Sequence, residues 1–302
     1  MKVAFFTEMN FVGKIPRNHT NMRTEFAWMV ALNADHYNIN NVPESKYDLG
    51  IIIIPKKNPD IDLAQIKEYC SKVAVMQEGP HWYFQDYDIA RQIHYYNSLQ
   101  KADIIFAHNT KDKEYYQGLT QHKDIRVMRS LMIEDSIDTN SLTDSKDRKN
   151  CIIGGNFVSW YGGFDSFIVA NNVFKSDEIY APSMGRKQEG EETLIKHIPY
   201  TEWNNWIKEL SKFRVGIHLM RTHAAGTFAL NCAYLGIPCI GYKGLDTQET
   251  LHPSLSIDIG DINKANELLK TLNSSKDFYD KCKEEAKVNY DKFYHERNFK
   301  ID

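Results

Sequence analysis

The sequence predicts an α/β protein of two doubly wound, largely parallel sheets that face each other across a cleft. Three observations carry that expectation. Short β-branched or apolar runs alternate along the chain with stretches of helical period. A polar interval from Glu134 to Asn150, rich in Asp, Ser, Thr and Lys, interrupts the alternation, which then restarts. The chain, 302 residues long, has about twice the length of an ordinary domain. It divides on this reading into a first unit over 1–140 and a second over 150–302, with the final helix expected to pack back toward the first.

In the first unit Val3-Ala4-Phe5-Phe6, Gly50 to Ile54, Val73 to Met76, Asp103 to Ala107 and Ile125 to Met128 read as buried strands. Met22 to Asn33, Asp62 to Ser71, Asp86 to Gln100 and Lys111 to Leu119 read as the helices between them. The second unit opens on the strand Cys151-Ile152-Ile153. It continues with a helix over Ser166 to Phe174, a strand over Glu178 to Ala181 and a helix over Thr201 to Phe213. The strand Val215 to Leu219, the helix Ala225 to Leu235 and strands over Pro238 to Tyr242 and Leu255 to Ile259 follow. Helices over Ile262 to Leu272 and Asp277 to Tyr294 end it. Sheets of this kind bind ligands at the carboxyl ends of their strands, so the chemistry belongs in the cleft.

Composition narrows the function. The chain is 42% hydrophobic, 12% aromatic and 25% charged, an ordinary globular balance that leaves disorder aside. No apolar run approaches the roughly 20 residues of a membrane span, and the Met1-Lys2-Val3 start reads as a strand rather than a leader. A net charge of −3 gives no global attraction to nucleic acid. Five cysteines without a CxxC fit a reducing cytoplasm. Eleven histidines show no HExxH, and His218 and His223 are five apart, so no metal is expected.

The first strand lacks GxGxxG and nothing matches GxxxxGK[ST], which sets aside dinucleotide dehydrogenases and P-loop kinases. The second unit carries another ordered pattern. His197-Ile198-Pro199-Tyr200-Thr201-Glu202-Trp203 precedes a helix and the strand Val215 to Leu219. Arg221-Thr222-His223-Ala224-Ala225-Gly226-Thr227 then leads to Asn231-Cys232-Ala233-Tyr234-Leu235-Gly236-Ile237-Pro238. Over Cys151 to Leu272 this order resembles the donor half of the GT-B glycosyltransferases. That resemblance implies two Rossmann-like domains, a nucleotide diphosphate sugar as co-substrate (UDP-sugar or GDP-sugar), no cofactor and hexosyl or pentosyl transfer. Retaining GT-B enzymes place two glutamates, seven residues between them, on the donor; the matching positions here are His223 and Asn231, neither a carboxylate. Ile153-Gly154-Gly155-Asn156-Phe157, Ile198-Pro199, Leu245-Asp246-Thr247 and Val75-Met76-Gln77-Glu78 are similar to the phage DNA β-glucosyltransferases, which invert configuration; Glu78 falls beside their catalytic aspartate.

The candidate roles follow. Gly154, Gly155 and Asn156, at the end of a strand, allow backbone amides close to a diphosphate, an ordinary tight turn being the alternative. Gly226 and Thr227 open a helix, whose free amides favour an anion, and Arg221, Arg186 and Lys187 are candidates to neutralise it. Ile198, Pro199 and Tyr200 frame the nucleobase, or form a plain β-to-α loop. Glu78, after a strand of the first unit, is the expected general base of an inverting displacement, with His81 as its substitute. Trp82 offers a stacking platform or packs in the core. On the acceptor side stand Gly13, Lys14, Arg17, His19 and Arg23 in the long segment Thr7 to Arg23, together with Lys56 and Lys57. The acceptor is left open among a glycan, a lipid-linked glycan, a protein and DNA. The rivals are a DNA hydroxymethylpyrimidine glycosyltransferase, a sugar-nucleotide epimerase on the same fold and a non-catalytic sugar-binding module.

Overall fold

A computed structural model describes residues 1–57, 60–183 and 187–301. The first region contains β1 (Val3–Thr7), β2 (Gly13–Lys14), α1 (Glu25–Ala31), β3 (Asp35–Asn38), β4 (Tyr47–Ile54), α2 (Leu63–Lys67) and β5 (Cys70–Gln77). It ends with α3 (Ile89–Lys101), β6 (Ile104–Ala107), α4 (Thr110–Thr120) and β7 (Ile125–Val127). Its sheet runs β2-β3-β1-β4-β5-β6-β7, parallel throughout except for β2 against β3. The second region contains β8 (Lys149–Ile153), α5 (Gly163–Asn171), β9 (Ile179–Pro182), β10 (Lys196–Ile198), α6 (Trp203–Leu210) and β11 (Phe213–His218). Then come α7 (Thr227–Leu235), β12 (Cys239–Tyr242), α8 (Asp246–Leu251), β13 (Ser256–Ile257), α9 (Ile262–Ser274) and α10 (Lys276–Asn289). Its sheet is fully parallel in the order β10-β9-β8-β11-β12-β13. The α/β class with two doubly wound sheets is therefore the observed one.

In both sheets the winding reverses at the first strand. β1 lies between β3 and β4, and β8 between β9 and β11. Their carboxyl ends, with those of their neighbours, form the crevices where ligands of such sheets bind. β4 shows why these runs are strands: Gly50 through Ile54 is buried on both faces, which only a covered parallel strand allows. Helix starts follow capping chemistry. The side chains of Asp62, Asp88, Asn109, Asp261 and Ser275 each accept from a backbone amide of the helix they precede.

The differences from expectation have local causes. α1 begins at Glu25 rather than Met22, because Thr24 sits at φ 41°, outside helical backbone. The stretch read as a helix to Ser71 gives way at Cys70 to an eight-residue strand. β3 was hidden by its polar sequence, Asp-His-Tyr-Asn; its buried His36 bonds to Thr7 Oγ1 at 2.8 Å and to the Phe11 carbonyl at 2.9 Å. β10 and α8 are short and lacked an apolar period.

One apolar core runs through both regions, joining Leu131, Met132 and Ile133 to Trp203, Trp206 and Ile207 and to Tyr290 and Tyr294 beyond α10. Tyr290 donates to Glu134 Oε1 at 2.6 Å, and Glu296 pairs with Arg17 at 2.6 Å, so the last segment is tied to residues far earlier in the chain. All five cysteines are buried and unpaired. No helix among the described residues is long and apolar enough to cross a membrane.

Candidate active site

A cleft of about 530 Å³ opens between the two regions, and the residues that line it come from both. The second region supplies Gly154, Pro199, Tyr200, His218, Gly226, Thr227 and Asn231; the first supplies Met22, Arg23, Thr24 and Leu131. Gly154 follows β8 directly, and a Cβ there would come within 2.5 Å of the His218 ring. Glycine is thus required for β8 and β11 to end side by side at the winding reversal. Gly226 sits at φ 68°, turning the chain into α7 with the Thr247 side chain pressed against it. The first amides of α7 have no carbonyl within the helix to bond, and they open toward the cleft with Thr227.

The loop ahead of α7 is pinned to the first region. Asn109 Nδ2 donates to the Ala224 carbonyl at 3.1 Å and Ser130 Oγ to the Ala225 carbonyl at 2.6 Å. Thr110 gives its amide and hydroxyl to Asp246 Oδ2, each at 3.0 Å. Burial pushes the Asp246 carboxyl up, and these bonds oppose it. On the far rim, Trp203 donates its amide to the Thr20 carbonyl at 2.7 Å. Arg23 donates to the Thr201 carbonyl at 2.7 Å and lies 4.8 Å over the Tyr200 ring. Burial lowers the Arg23 guanidinium.

His81 faces this loop from the first region. Its Nδ1 lies 2.7 Å from Asp112 Oδ1, and Asp112 is buried beside Asn109. Against a carboxylate, which only accepts, a neutral His81 imidazole carries its proton on Nδ1 and presents Nε2 as an acceptor. The His81 ring stands 6.5 Å from that of His223, whose basicity is lowered chiefly by burial. The buried Nε2 of His223 has no partner. Burial also takes His218 down to about 4, so it is neutral near pH 7.

Glu78 follows β5 directly, with both oxygens engaged by one residue: Oε1 by Lys56 Nζ at 2.9 Å and Oε2 by the Lys56 amide at 3.2 Å. Near this pair stands Glu25, whose carboxyl burial pushes up to about 7, with Glu78 and Glu8 adding to the rise.

The remaining candidates fall into two groups. Tyr200 is 71% exposed at the mouth of the cleft, Ile198 is buried below it, and Asn231 is buried with its amide committed to Trp206 Nε1 at 3.0 Å and Met132 Sδ at 3.4 Å. Asn156 is fully buried and accepts from the Val158 amide, while Gly155 packs against Tyr161, itself a wall of the cleft. Trp82 joins an aromatic group with Tyr83 and Trp160, 5.7 Å from the latter, across the two regions. Away from the cleft lining, Arg221 pairs with Asp165 at 2.9 Å, Lys187 with Glu192 at 3.2 Å, and Lys14 with Asn33 at 2.8 Å. Arg17 is held by Asp135 and Glu296, His19 bonds the Asn21 backbone, and Gly13 lies in the edge strand β2. Arg186 lies outside the described residues.

Sequence reasoning missed Asp112, Asn109, Thr24 and Glu25. Asn109 and Asp112 carried a legible signal as a helix cap and its third residue, but a cap alone does not reveal the imidazole packed on it. Among the described residues no group of three or more His, Cys, Asp or Glu is arranged to hold a metal.

No family model matches the chain, and no curated protein sequence matches it. Solved structures do. Sucrose-phosphate synthase from Thermosynechococcus elongatus superposes with a TM-score of 0.67 at 10% identity, over 99% of this chain and 96% of that one. HepE of Anabaena, in complex with UDP, gives 0.65 at 9% identity over 99% and 97%. An alpha-glucosyltransferase in complex with UDP and a 13-mer DNA containing an HMU base gives 0.64 at 12% identity over 99% and 97%. The likeness spans nearly the whole of each chain.

Proposed function

We propose that this chain, which has the GT-B fold those structures share, is a glycosyltransferase that moves a hexosyl or pentosyl group from a UDP- or GDP-sugar to a hydroxyl acceptor. One observation carries the reading: an open helix start lines the cleft, and the loop leading into that helix brings His223 within 6.5 Å of the carboxylate-oriented imidazole of His81. The division into a first unit over 1–140 and a donor-binding unit over 150–302 belongs to the same proposal, as does a reducing cytoplasm for the five unpaired cysteines.

The nucleobase lies by Pro199 and Tyr200, and the diphosphate caps α7 at Gly226 and Thr227, where free amides and the helix dipole favour negative charge. The sugar extends toward His223 and so toward His81. His81 Nε2 takes the proton of the acceptor hydroxyl as its oxygen bonds to the anomeric carbon. The bond from that carbon to the diphosphate breaks and its electron pair leaves with the diphosphate. Asp112 holds the imidazole in the required tautomer and stabilises the imidazolium that forms. His81 is preferred to Glu78 as the base because both Glu78 oxygens are occupied by Lys56.

Two measurements test the reading. A thermal-shift screen against UDP, GDP, CDP and ADP is expected to single out one carrier, since a ligand of the folded state raises the midpoint. NMR of the glycosylated product is expected to show an inverted anomeric carbon. Retention removes His81 and Glu78 alike from the role of base in a single displacement.

A further inference from the structure

A second pocket, about 310 Å³, lies behind the donor cleft and plays no part in the chemistry above. Its walls come from α4, from the end of β7 with the chain that follows it, and from 293–300. Five of the residues lining it are basic, namely Lys113, Arg126, Arg129, His295 and Lys300, and none is acidic, in a chain whose net charge is −3. Two of the five have a carboxylate oxygen within 4 Å: Asp124 holds Arg126 at 2.6 Å, and Glu134 stands 3.9 Å from His295. Lys113, Arg129 and Lys300 make no ion pair among the described residues, although Arg129 is near enough to Asp246 to favour its ionised form. Three unpaired cations around one concavity repel one another, an arrangement that a polyvalent anion relieves. Arginine with lysine suits phosphate in particular, the planar fork binding two oxygens and the ammonium acting as a point charge.

We propose that this pocket is a second anion site, which takes the phosphate group of a small ligand. Its occupant bridges the last segment of the chain to the first region. The pocket also backs onto the donor cleft: Leu131 lines both cavities, and its neighbour Ser130 holds the Ala225 carbonyl at 2.6 Å.

The test is a thermal-shift titration with inorganic phosphate and with pyrophosphate, at ionic strength held constant with sodium chloride, in the absence and presence of saturating UDP. The midpoint is expected to rise by about 2 °C for each tenfold increase in phosphate above its dissociation constant. That rise is expected to persist in saturating UDP and to be largely lost in Arg129→Ser/Lys300→Ser. Three results overturn the site: no rise with either anion, an equal rise in the double variant, or a rise that UDP abolishes, which places the anion in the donor cleft. The arms without UDP decide the matter even if no nucleotide binds. Should the double variant fail to fold, Lys300→Ser alone, at an exposed side chain, reads the same loss of response.

Discussion

Substituting Gly226 by Ala tests the turn that leads into α7 on the cleft wall. At φ 68° an alanine is strained by about 1–2 kcal/mol. Its Cβ would also overlap Thr247 Oγ1, and relieving that contact inside a packed site costs about 1–3 kcal/mol more. The expected loss is about 3 kcal/mol, or roughly 5 °C in the thermal midpoint of a chain this size. Thr247→Ala separates the two contributions. Its hydroxyl is buried with no hydrogen-bond partner, so removing it sacrifices no bond. In that background Gly226→Ala keeps the backbone strain and loses the hydroxyl clash; the remaining neighbour, Thr247 Cβ, would lie 3.2 Å away, a distance small shifts absorb. The double-mutant cycle is therefore expected to show a coupling of about 1–3 kcal/mol in favour of the pair. Scanning calorimetry of the four proteins measures it. Strict additivity refutes the reasoning, because it means Thr247 does not confine the turn.

Four further outcomes are expected. In Asp112→Asn the one amide oxygen is claimed by Asn109 Nδ2 and an N–H is turned toward His81 Nδ1, which disfavours the required tautomer, so turnover falls about 10²–10⁴-fold while nucleotide affinity is kept, as initial rates and a binding titration will show. Burial depresses His36, His218 and His252 from their ordinary value near 6.5 to about 4. Between those values the unfolded chain binds more protons than the folded one, so stability falls as pH drops from about 6.5 to 4, measurable as the midpoint against pH. Glu25 has the opposite sign: its folded carboxyl titrates near 7 against an ordinary 4.5, so it penalises the fold increasingly as pH rises through that window, and Glu25→Gln is expected to stabilise the protein at pH 8. All five thiols are buried, and burial pushes Cys70 and Cys282 up to about 11; a disulfide reagent is expected to titrate none in the native protein and five after unfolding.

The strands Gly50 to Ile54 and Cys151 to Ile153 were legible because covered parallel strands are apolar on both faces, a pattern few other elements produce. β3 was not legible, since its polar residues are satisfied by tertiary bonds such as His36 to Thr7, which leave no mark on local composition. In the cleft, Gly154, Gly226 and Thr227 could be read because backbone geometry dictates residue type at a strand end and a helix start. The placement of His81 on Asp112, of Glu78 on Lys56 and of Arg17 between Asp135 and Glu296 could not. Each pairing joins residues 22 to 279 positions apart, and a sequence pattern sees only neighbours along the chain.

Whether the cleft transfers a sugar is decided by incubating the protein with UDP-glucose and GDP-mannose, singly, and following nucleotide and sugar by NMR beside the Asp112→Asn and His81→Ala variants. Release of the nucleoside diphosphate from one donor is expected, slowly to water and faster on addition of a hydroxyl acceptor the protein can use, with both variants bound to nucleotide but nearly inactive. Donors left intact by the native protein with every acceptor tried, or variants as active as the native chain, would contradict the proposed transfer.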